Sequence, residues 1–415
     1  MPPFPLGVHA FFYLWYGEPS TDGAYRHWNH EILPHWTEAV QRRFPHGAGT
    51  RFRPPVYLHS PYYPQVLVAV PRRSRNPNLT RNPTRPTYPN PKRGTYSSRS
   101  RATLAAQFTD MATHGISVAA VSWWGRPDVP HTTDTQGVGT DDAIPTVLAA
   151  AADAGLKVAW HLEPYKGRSA ASVRADVAYL TSKYGGHPAV FKAAAKPLYY
   201  VYDSYHINDK SWATVLQPGG ADSVRGGGDD GWFIALWLDA ADGQRIVAGG
   251  FDGAYSYFAS DGTSYGSSSE HWRACAAWAR EHGKLWIPSV GPGYDDTRIR
   301  PWNAHSTRQR DGTAYFDSMW RAAVASQPAA VSITSYNEWG EGTQIEAAAP
   351  KEVSDAEHAA AMVAGDGDGG GDYQETLRGI GVGRAYKDYG SNANVFLERT
   401  AHWAATLFKT AADEL

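Results

Sequence analysis

Eight short apolar and aromatic runs recur along this chain, most of them followed by a segment of helical character. The runs lie at 8–16, 117–125, 156–165, 196–205, 231–239, 253–259, 284–293 and 330–339. Their β-branched and aromatic residues, with few charges, suit strands buried on both faces. Between them, 102–115, 142–155, 170–185, 268–282 and 313–326 are rich in Ala, with apolar residues at helical spacing. Gly115, Gly155, Gly185 and Gly283 stand where such helices stop. A strand followed by a helix, repeated through 415 residues, predicts the α/β class and a single (β/α)8 TIM barrel over 1–415. The link from 205 to 231 breaks the rhythm, because Gly219, Gly220 and Gly226 to Gly228 leave little room for a helix there.

Two low-complexity insertions interrupt the pattern. Residues 65–93 are Pro-rich, carry Arg72, Arg73, Arg75, Arg81, Arg85, Lys92 and Arg93, and contain no acid. They read as a loop without regular structure, with polyanion binding as the minor alternative. Residues 352–372 are acidic and Gly-rich and read as a flexible insertion.

Five runs end alike. Trp15-Tyr16-Gly17, Ser122-Trp123-Trp124, His161-Leu162-Glu163-Pro164-Tyr165, Tyr202-Asp203-Ser204-Tyr205 and Asn337-Glu338-Trp339 all place polar and aromatic groups at a strand end. Inside a strand core these groups would lose water without compensation, whereas at the carboxyl mouth of a barrel they can face a substrate. With 16 Trp and 24 Tyr, the chain is equipped for flat apolar faces such as sugar rings. A net charge of −2 argues against nucleic acid or an anionic membrane as partner. The single cysteine, Cys275, rules out an internal disulfide and a thiolate metal cluster, and its run ACAAWAR reads as a helix with a buried thiol.

The densest chemistry lies in SITSYNEWGEGTQIE, 332–346. Glu338 and Glu341 stand three residues apart, flanked by Trp339, Gly340 and Gly342, where the backbone leaves a buried strand. Cleavage of a glycosidic bond commonly needs two carboxyl groups, one acting on the leaving oxygen and one at the sugar. A neighbouring Trp can raise the pKa of one of them by desolvation. Three residues span at most ~10 Å, which covers both catalytic separations, so spacing leaves the stereochemistry open. The alternative is a solvated loop with two surface glutamates. In HLEPYK, strand alternation predicts His161, Glu163 and Tyr165 on one face, with Glu163 placed to bind a hydroxyl or else paired with Lys166 or Arg168. Other motifs are weaker. His30 and His35 are five residues apart with Pro34 between them, which is wrong for a zinc helix, although with His27 they remain a metal candidate. Gly262-Thr263-Ser264-Tyr265-Gly266 matches a nucleophile elbow, but Ser260-Asp261 separate it from the preceding strand, so a Gly/Ser loop is expected. Asn78-Leu79-Thr80 is a formal glycosylation sequon inside the basic insertion.

Taken together, FFYLWYGEPSTDGAYRHWNHEILPHW (11–36), HLEPYKGR (161–168), FDGAYSYFASDG (251–262), IPSVGPGYDDTRIRPWN (287–303) and SITSYNEWGEGTQIE resemble the endo-α-1,2-mannosidase family, glycoside hydrolase family 99. The resemblance covers most of 7–64, 94–350 and 386–415 and implies a (β/α)8 barrel. It implies that Glu338 is the base that takes the proton of the sugar's own 2-hydroxyl, and that Glu341 is first acid and then base, through a 1,2-anhydro sugar and with retention. It puts Tyr16, Trp123, Glu163 and Tyr257 at the sugar, with Asn337 beside the base, and implies no metal and no cofactor. The implied partner is an oligosaccharide or N-glycan. In the Golgi of eukaryotes this is a glucosylated high-mannose glycan from which glucosyl-mannose is released, and in bacteria it is α-mannan. Two departures stand out: Gly340 where the family usually has His, and the long insertion after Tyr62-Tyr63-Pro64. The Golgi enzymes carry an N-terminal membrane anchor. This sequence starts at the catalytic domain, so a missing anchor is expected. Its last residues, Ala412-Asp413-Glu414-Leu415, loosely match an endoplasmic-reticulum retrieval signal. The competing readings are an α-mannan-degrading relative, a carbohydrate-binding barrel that has lost turnover, and a serine esterase using Ser264.

Overall fold

Runs with few charges and many β-branched or aromatic residues are stable only where both faces are covered, and in the computed structural model they pair side by side as a parallel ring. The structure describes residues 4–28, 87–296, 299, 307–352, 389 and 391–413. The ring strands are β1 (Val8–Phe12), β2 (Val118–Trp123), β3 (Lys157–Leu162), β4 (Lys196–Val201), β5 (Trp232–Leu236) and β6 (Gly253–Tyr255). They continue with β7 (Leu285–Ile287), β8 (Ser289–Val290) and β9 (Val331–Ile333). Their order is β8-β9-β1-β2-β3-β4-β5-β6-β7, so the two ends of the ladder are the two halves of one run, interrupted at Pro288. Proline has no N–H to donate, and its carbonyl still accepts from Ser332 N at 3.0 Å. The nine segments therefore make an eight-run barrel, as the sequence predicts.

Alternation along the strands divides the apolar residues into two layers. Val8, Ala10, Phe12, Ala119, Val121, Trp123, Val158 and Trp160 pack outward with the helices. Phe11, Val118, Ala120, Ala159, Leu198, Tyr200, Ile234 and Tyr255 fill the lumen. Phe11 sits among His161, Tyr257, Tyr200 and Tyr255 at ring-centroid distances of 4.6, 5.2, 5.3 and 5.6 Å. Deeper in, His9 Nδ1 lies 2.6 Å from the Tyr200 hydroxyl. Burial pushes the pKa of His9 down to about 3, so the ring is neutral.

The five predicted helices are present as α1 (Arg101–Thr113), α2 (Ile144–Asp153), α3 (Ala170–Tyr184), α6 (Trp272–Glu281) and α7 (Ala314–Ala325). Ser100 caps α1, and Ser169 with Ser172 forms a capping box on α3. Cys275 is buried in α6, as expected, and burial pushes its thiol up to about 12. The expectation for 205–231 is corrected. An eight-residue helix, α4 (Asp209–Leu216), fits there because it ends before Gly219, and Asn208 caps it by accepting from Ser211 N at 2.8 Å. Two further helices are α5 (Asp242–Gly249) and α8 (Val395–Asp413).

The expectation that 65–93 is structureless throughout is also corrected at its end. Thr87–Pro91 pairs antiparallel with Ala348–Glu352, and Lys92 N continues the ladder to Ala347 O at 2.7 Å. Each strand of a two-stranded ladder has one free edge, where proline costs no hydrogen bond, so Pro89 and Pro91 are tolerated. Residues 65–86 and 353–372 lie outside the described residues. No described helix is long and apolar enough to cross a membrane.

Candidate active site

Beyond β9 the backbone turns through 335–346, and the turn is held from several sides. Glu338 N donates to Ser335 Oγ at 2.7 Å, and Ser335 Oγ lies 2.9 Å from Thr343 Oγ1. Arg310 donates to the carbonyls of Gly342 and Gln344 at 2.9 and 2.8 Å. Glu341 N donates to Glu338 Oε1 at 3.2 Å, so the backbone of one glutamate supports the carboxylate of the other. Glu338 is 4% exposed, while Glu341 is half-buried. A Cβ on Gly340 would come within 2.8 Å of Glu338 Oε1 and 3.3 Å of Ile299 Cδ1, so glycine leaves this approach open.

Both carboxylates line a cleft of about 180 Å³ at the carboxyl ends of the strands. Each of the five polar-aromatic strand ends sends at least one side chain into it: Trp15 and Tyr16, Trp124, Glu163, Tyr202, and the Glu338 turn. Tyr257 joins from the end of β6. Glu163 accepts from Ser122 Oγ at 2.7 Å, and His161 Nδ1 lies 3.1 Å from the same oxygen. The predicted shared face ends at Glu163. β3 stops at Leu162, and Tyr165 swings outward to donate to Ser172 Oγ and to Asp176 of α3. Arg168 donates to the carbonyls of Leu162 and Asp203, leaving Glu163 to the cleft.

Tyr16 has a divided role. Its ring is at the cleft wall, while its hydroxyl donates to Asn337 O at 2.8 Å and accepts from Trp339 N at 3.0 Å. Tyr257 has a left-handed backbone, φ 61°, held by its N–H donating to Ser289 Oγ at 2.8 Å. Its hydroxyl hydrogen-bonds that of Tyr13. Burial, then Glu163, Glu338 and Glu341, push the Tyr13 hydroxyl well above the usual tyrosine range. Burial, then Tyr13, Glu341 and Glu163, do the same to Tyr257. Both therefore remain protonated donors among carboxylates.

Two expected sugar contacts lie elsewhere. Trp123 shares the outward parity of Ala119 and Val121. Its indole donates to Asp141 at 3.0 Å and its ring packs on Tyr179 of α3, so it does not reach the cleft. The next residue, Trp124, takes that place. Asn337 is fully buried and clamps β1, accepting from Tyr13 N at 2.8 Å and donating to Tyr13 O at 3.0 Å. It shapes the wall without lining it.

The sequence reading had Trp15, Trp124 and Tyr202 in its strand-end clusters without giving them a sugar contact, and it did not single out Tyr13, His27 or Gln136 as cleft residues. Parity would have separated Trp124 from Trp123, since Ser122 faces inward and Trp123 therefore cannot. The indole N–H groups of Trp15 and Trp124 are buried and have no hydrogen-bond acceptor among the described residues. His27 stacks on Trp15, with ring centroids 4.5 Å apart, and its Nε2 lies 2.6 Å from Asp134 Oδ2. His30, His35 and Asn78 lie outside the described residues. Ser264 turns its hydroxyl to Ser267 at 2.8 Å, away from the cleft. Two carboxylates of unequal exposure, protonated tyrosines and aromatic rings along the cleft form a site able to move protons at an acetal.

Comparison with known proteins agrees with that chemistry. A model of glycosyl hydrolase family 99 matches residues 4–89 and 84–360. The glycoprotein endo-alpha-1,2-mannosidase of Rattus norvegicus is 39% identical over 359 residues, spanning 85% of this chain and 70% of that protein. The protein of the same name from Xenopus laevis is 39% identical over 358 residues, 85% of this chain and 72% of its own. Among solved structures, the GH99 endo-alpha-mannosidase of Bacteroides thetaiotaomicron is similar with a TM-score of 0.73 and 33% identity, covering 97% of this chain and 98% of that one.

Proposed function

The chain belongs to glycosyl hydrolase family 99 and is a glycoside hydrolase, and from that premise we propose that it is a retaining endo-α-1,2-mannosidase working through the substrate's own 2-hydroxyl. The observation that carries the proposal is the placement of Glu338 and Glu341 on one braced turn, in one cleft, at different depths. Glu338, the deeper group, removes the proton from the 2-hydroxyl. The resulting oxyanion attacks the anomeric carbon as the glycosidic C–O bond breaks, giving a 1,2-anhydro sugar. Glu341, nearer solvent, delivers its proton to the leaving oxygen. It then takes a proton from the water that opens the anhydro ring, and Glu338 returns its proton to O2. Two inversions at one carbon give net retention. The axial 2-hydroxyl of mannose lies opposite an axial α-leaving group, so the internal attack is in line.

Glu163, Tyr16 and Tyr257 are proposed to hold the sugar, with the rings of Trp15 and Trp124 as apolar walls. The proposed substrate is a glucosylated high-mannose N-glycan cut to release glucosyl-mannose. The Golgi lumen, implied by the resemblance, is the proposed location. Gly340 favours a second reading, the same chemistry on an α-mannan, because the space beside Glu338 that a side chain would narrow is free for a different leaving group. Incubation with the glucosylated glycan, with fragments read by mass, decides between these. Release of a disaccharide supports the first reading, and cleavage of mannan alone supports the second. Binding without cleavage of either would contradict both.

A further inference from the structure

Glu346 lies behind the cleft and does not line it, yet this side chain is 1% exposed and carries a carboxylate's worth of acceptors. Three donors from three parts of the fold converge on it. Tyr96 Oη donates to Oε2 at 2.7 Å, the Trp339 indole donates to Oε2 at 2.8 Å, and Gln107 Nε2 of α1 donates to Oε1 at 2.7 Å. The chain of donors has a direction. Asn337 Nδ2 donates to Tyr96 Oη at 3.4 Å, and Tyr96 passes its own proton toward Glu346. Two donors on Oε2 and one on Oε1 call for two accepting oxygens on this side chain, and a carboxylate supplies both. Burying a carboxylate is costly, and a neutral packing residue would fill the same space without that cost.

The target of this arrangement is Trp339, which sits between Glu338 and Gly340-Glu341 and is completely buried. Its backbone N–H is fixed by Tyr16 Oη, and Gly342 N donates back to its carbonyl at 3.4 Å. The indole N–H bond to Glu346 anchors the side chain as well and sets the ring's rotation. Glu346 N in turn donates to Tyr336 O at 2.8 Å, closing the base of the turn that carries both glutamates.

We propose that Glu346 is a positioning residue, which holds Trp339, and through it the Glu338–Glu341 turn, in the geometry needed for turnover. The proposal rests on the reading of Glu338 and Glu341 as the working carboxylates. Its test compares wild type, Glu346→Leu, Glu346→Gln, Tyr96→Phe and Glu341→Gln on an α-mannobioside with an activated leaving group and on the natural glycan, with melting temperatures measured alongside. Displacing a reacting group by about 1 Å costs on the order of 100-fold, so kcat of Glu346→Leu should fall by roughly that factor with KM within about threefold. Glu346→Gln should restore most of the kcat, since one oxygen can stay on Trp339 and Tyr96 while Gln107 turns its amide to accept from the new NH2. Tyr96→Phe removes one hydroxyl and should lower kcat several-fold at unchanged KM, and it decides the matter if Glu346→Leu does not fold.

A folded Glu346→Leu with wild-type kcat overturns the proposal, as does a loss confined to KM. Wild-type kcat in Tyr96→Phe, where Glu346→Leu does not fold, overturns it too. If Glu341→Gln is inactive on the natural glycan and Glu346→Leu is not impaired, only the positioning role falls. If Glu341→Gln is fully active on that glycan, the reading of the turn falls and the positioning role falls with it.

Discussion

Among single residues, neighbouring side chains should fail in distinct ways. Glu341→Gln should lose on the order of 100- to 10,000-fold in kcat on a natural glycan, the usual contribution of a positioned acid–base group. Glycan binding should survive, as calorimetry on the inactive variant would show. An activated leaving group needs no proton, so formation of the anhydro sugar should be rescued there. The two tryptophans make a sharper pair. Trp123→Phe removes a donor from buried Asp141 and should lower stability by about 1–3 kcal/mol in denaturant titration, with KM unchanged. Trp124→Ala should raise KM, because that ring lines the cleft, and should lower the melting temperature as well, because the ring is largely buried. Much of the site was legible at this scale. The paired glutamates, Glu163, Tyr16 and Tyr257 all reach one cleft. Trp123 and Asn337 do not, because a motif identifies residues that belong near a site, while strand parity and backbone clamps decide which of them face it.

At the scale of elements, the decisive unit is the turn 335–346 clamped to the end of β1. Asn337 mimics a ladder rung, bonding both the N–H and the C=O of Tyr13. Asn337→Ala leaves both groups buried and unpaired, a loss of about 2–4 kcal/mol, readable as a drop in the urea midpoint with unchanged slope. The strand runs and the five predicted helices were readable because burial on two faces and helical spacing leave separate signatures. The helix α4 was not, because glycines after its end were weighed against the whole link when they only limit its length. The strand Thr87–Pro91 was hidden for a different reason. Its prolines look like breakers until a partner appears 257 residues later, at Ala348 opposite Pro91, and that long-range pairing leaves no local trace.

At the scale of the whole molecule, the barrel lumen couples stability to pH. The pKa of His9 falls from 6.5 to about 3 on burial, so between those values the unfolded chain binds a proton that the native chain refuses. The stability linked to His9 is therefore fully present above pH 6.5 and is lost as the pH falls toward 3. Melting temperatures measured from pH 7 down to 4 should decline more steeply for wild type than for His9→Gln, which can still bond Tyr200 but carries no titrating ring. Parallel curves would contradict the assignment. The global architecture was the most legible level, since a repeating strand–helix rhythm has few topological solutions. The interruption of one barrel run at Pro288 does not open the ring, because the neighbouring strands bond to the segments on either side.

In the proposed mechanism two glutamates on one turn cleave an α-mannoside with retention, using the sugar's own 2-hydroxyl. The most direct test follows the reaction by proton NMR from its first minutes and reads the anomer that forms before mutarotation. The account predicts that the α-anomer of the released sugar appears first and the β-anomer grows in later. A β-anomer formed first would mean a single displacement by water, and would contradict the mechanism assigned to Glu338 and Glu341.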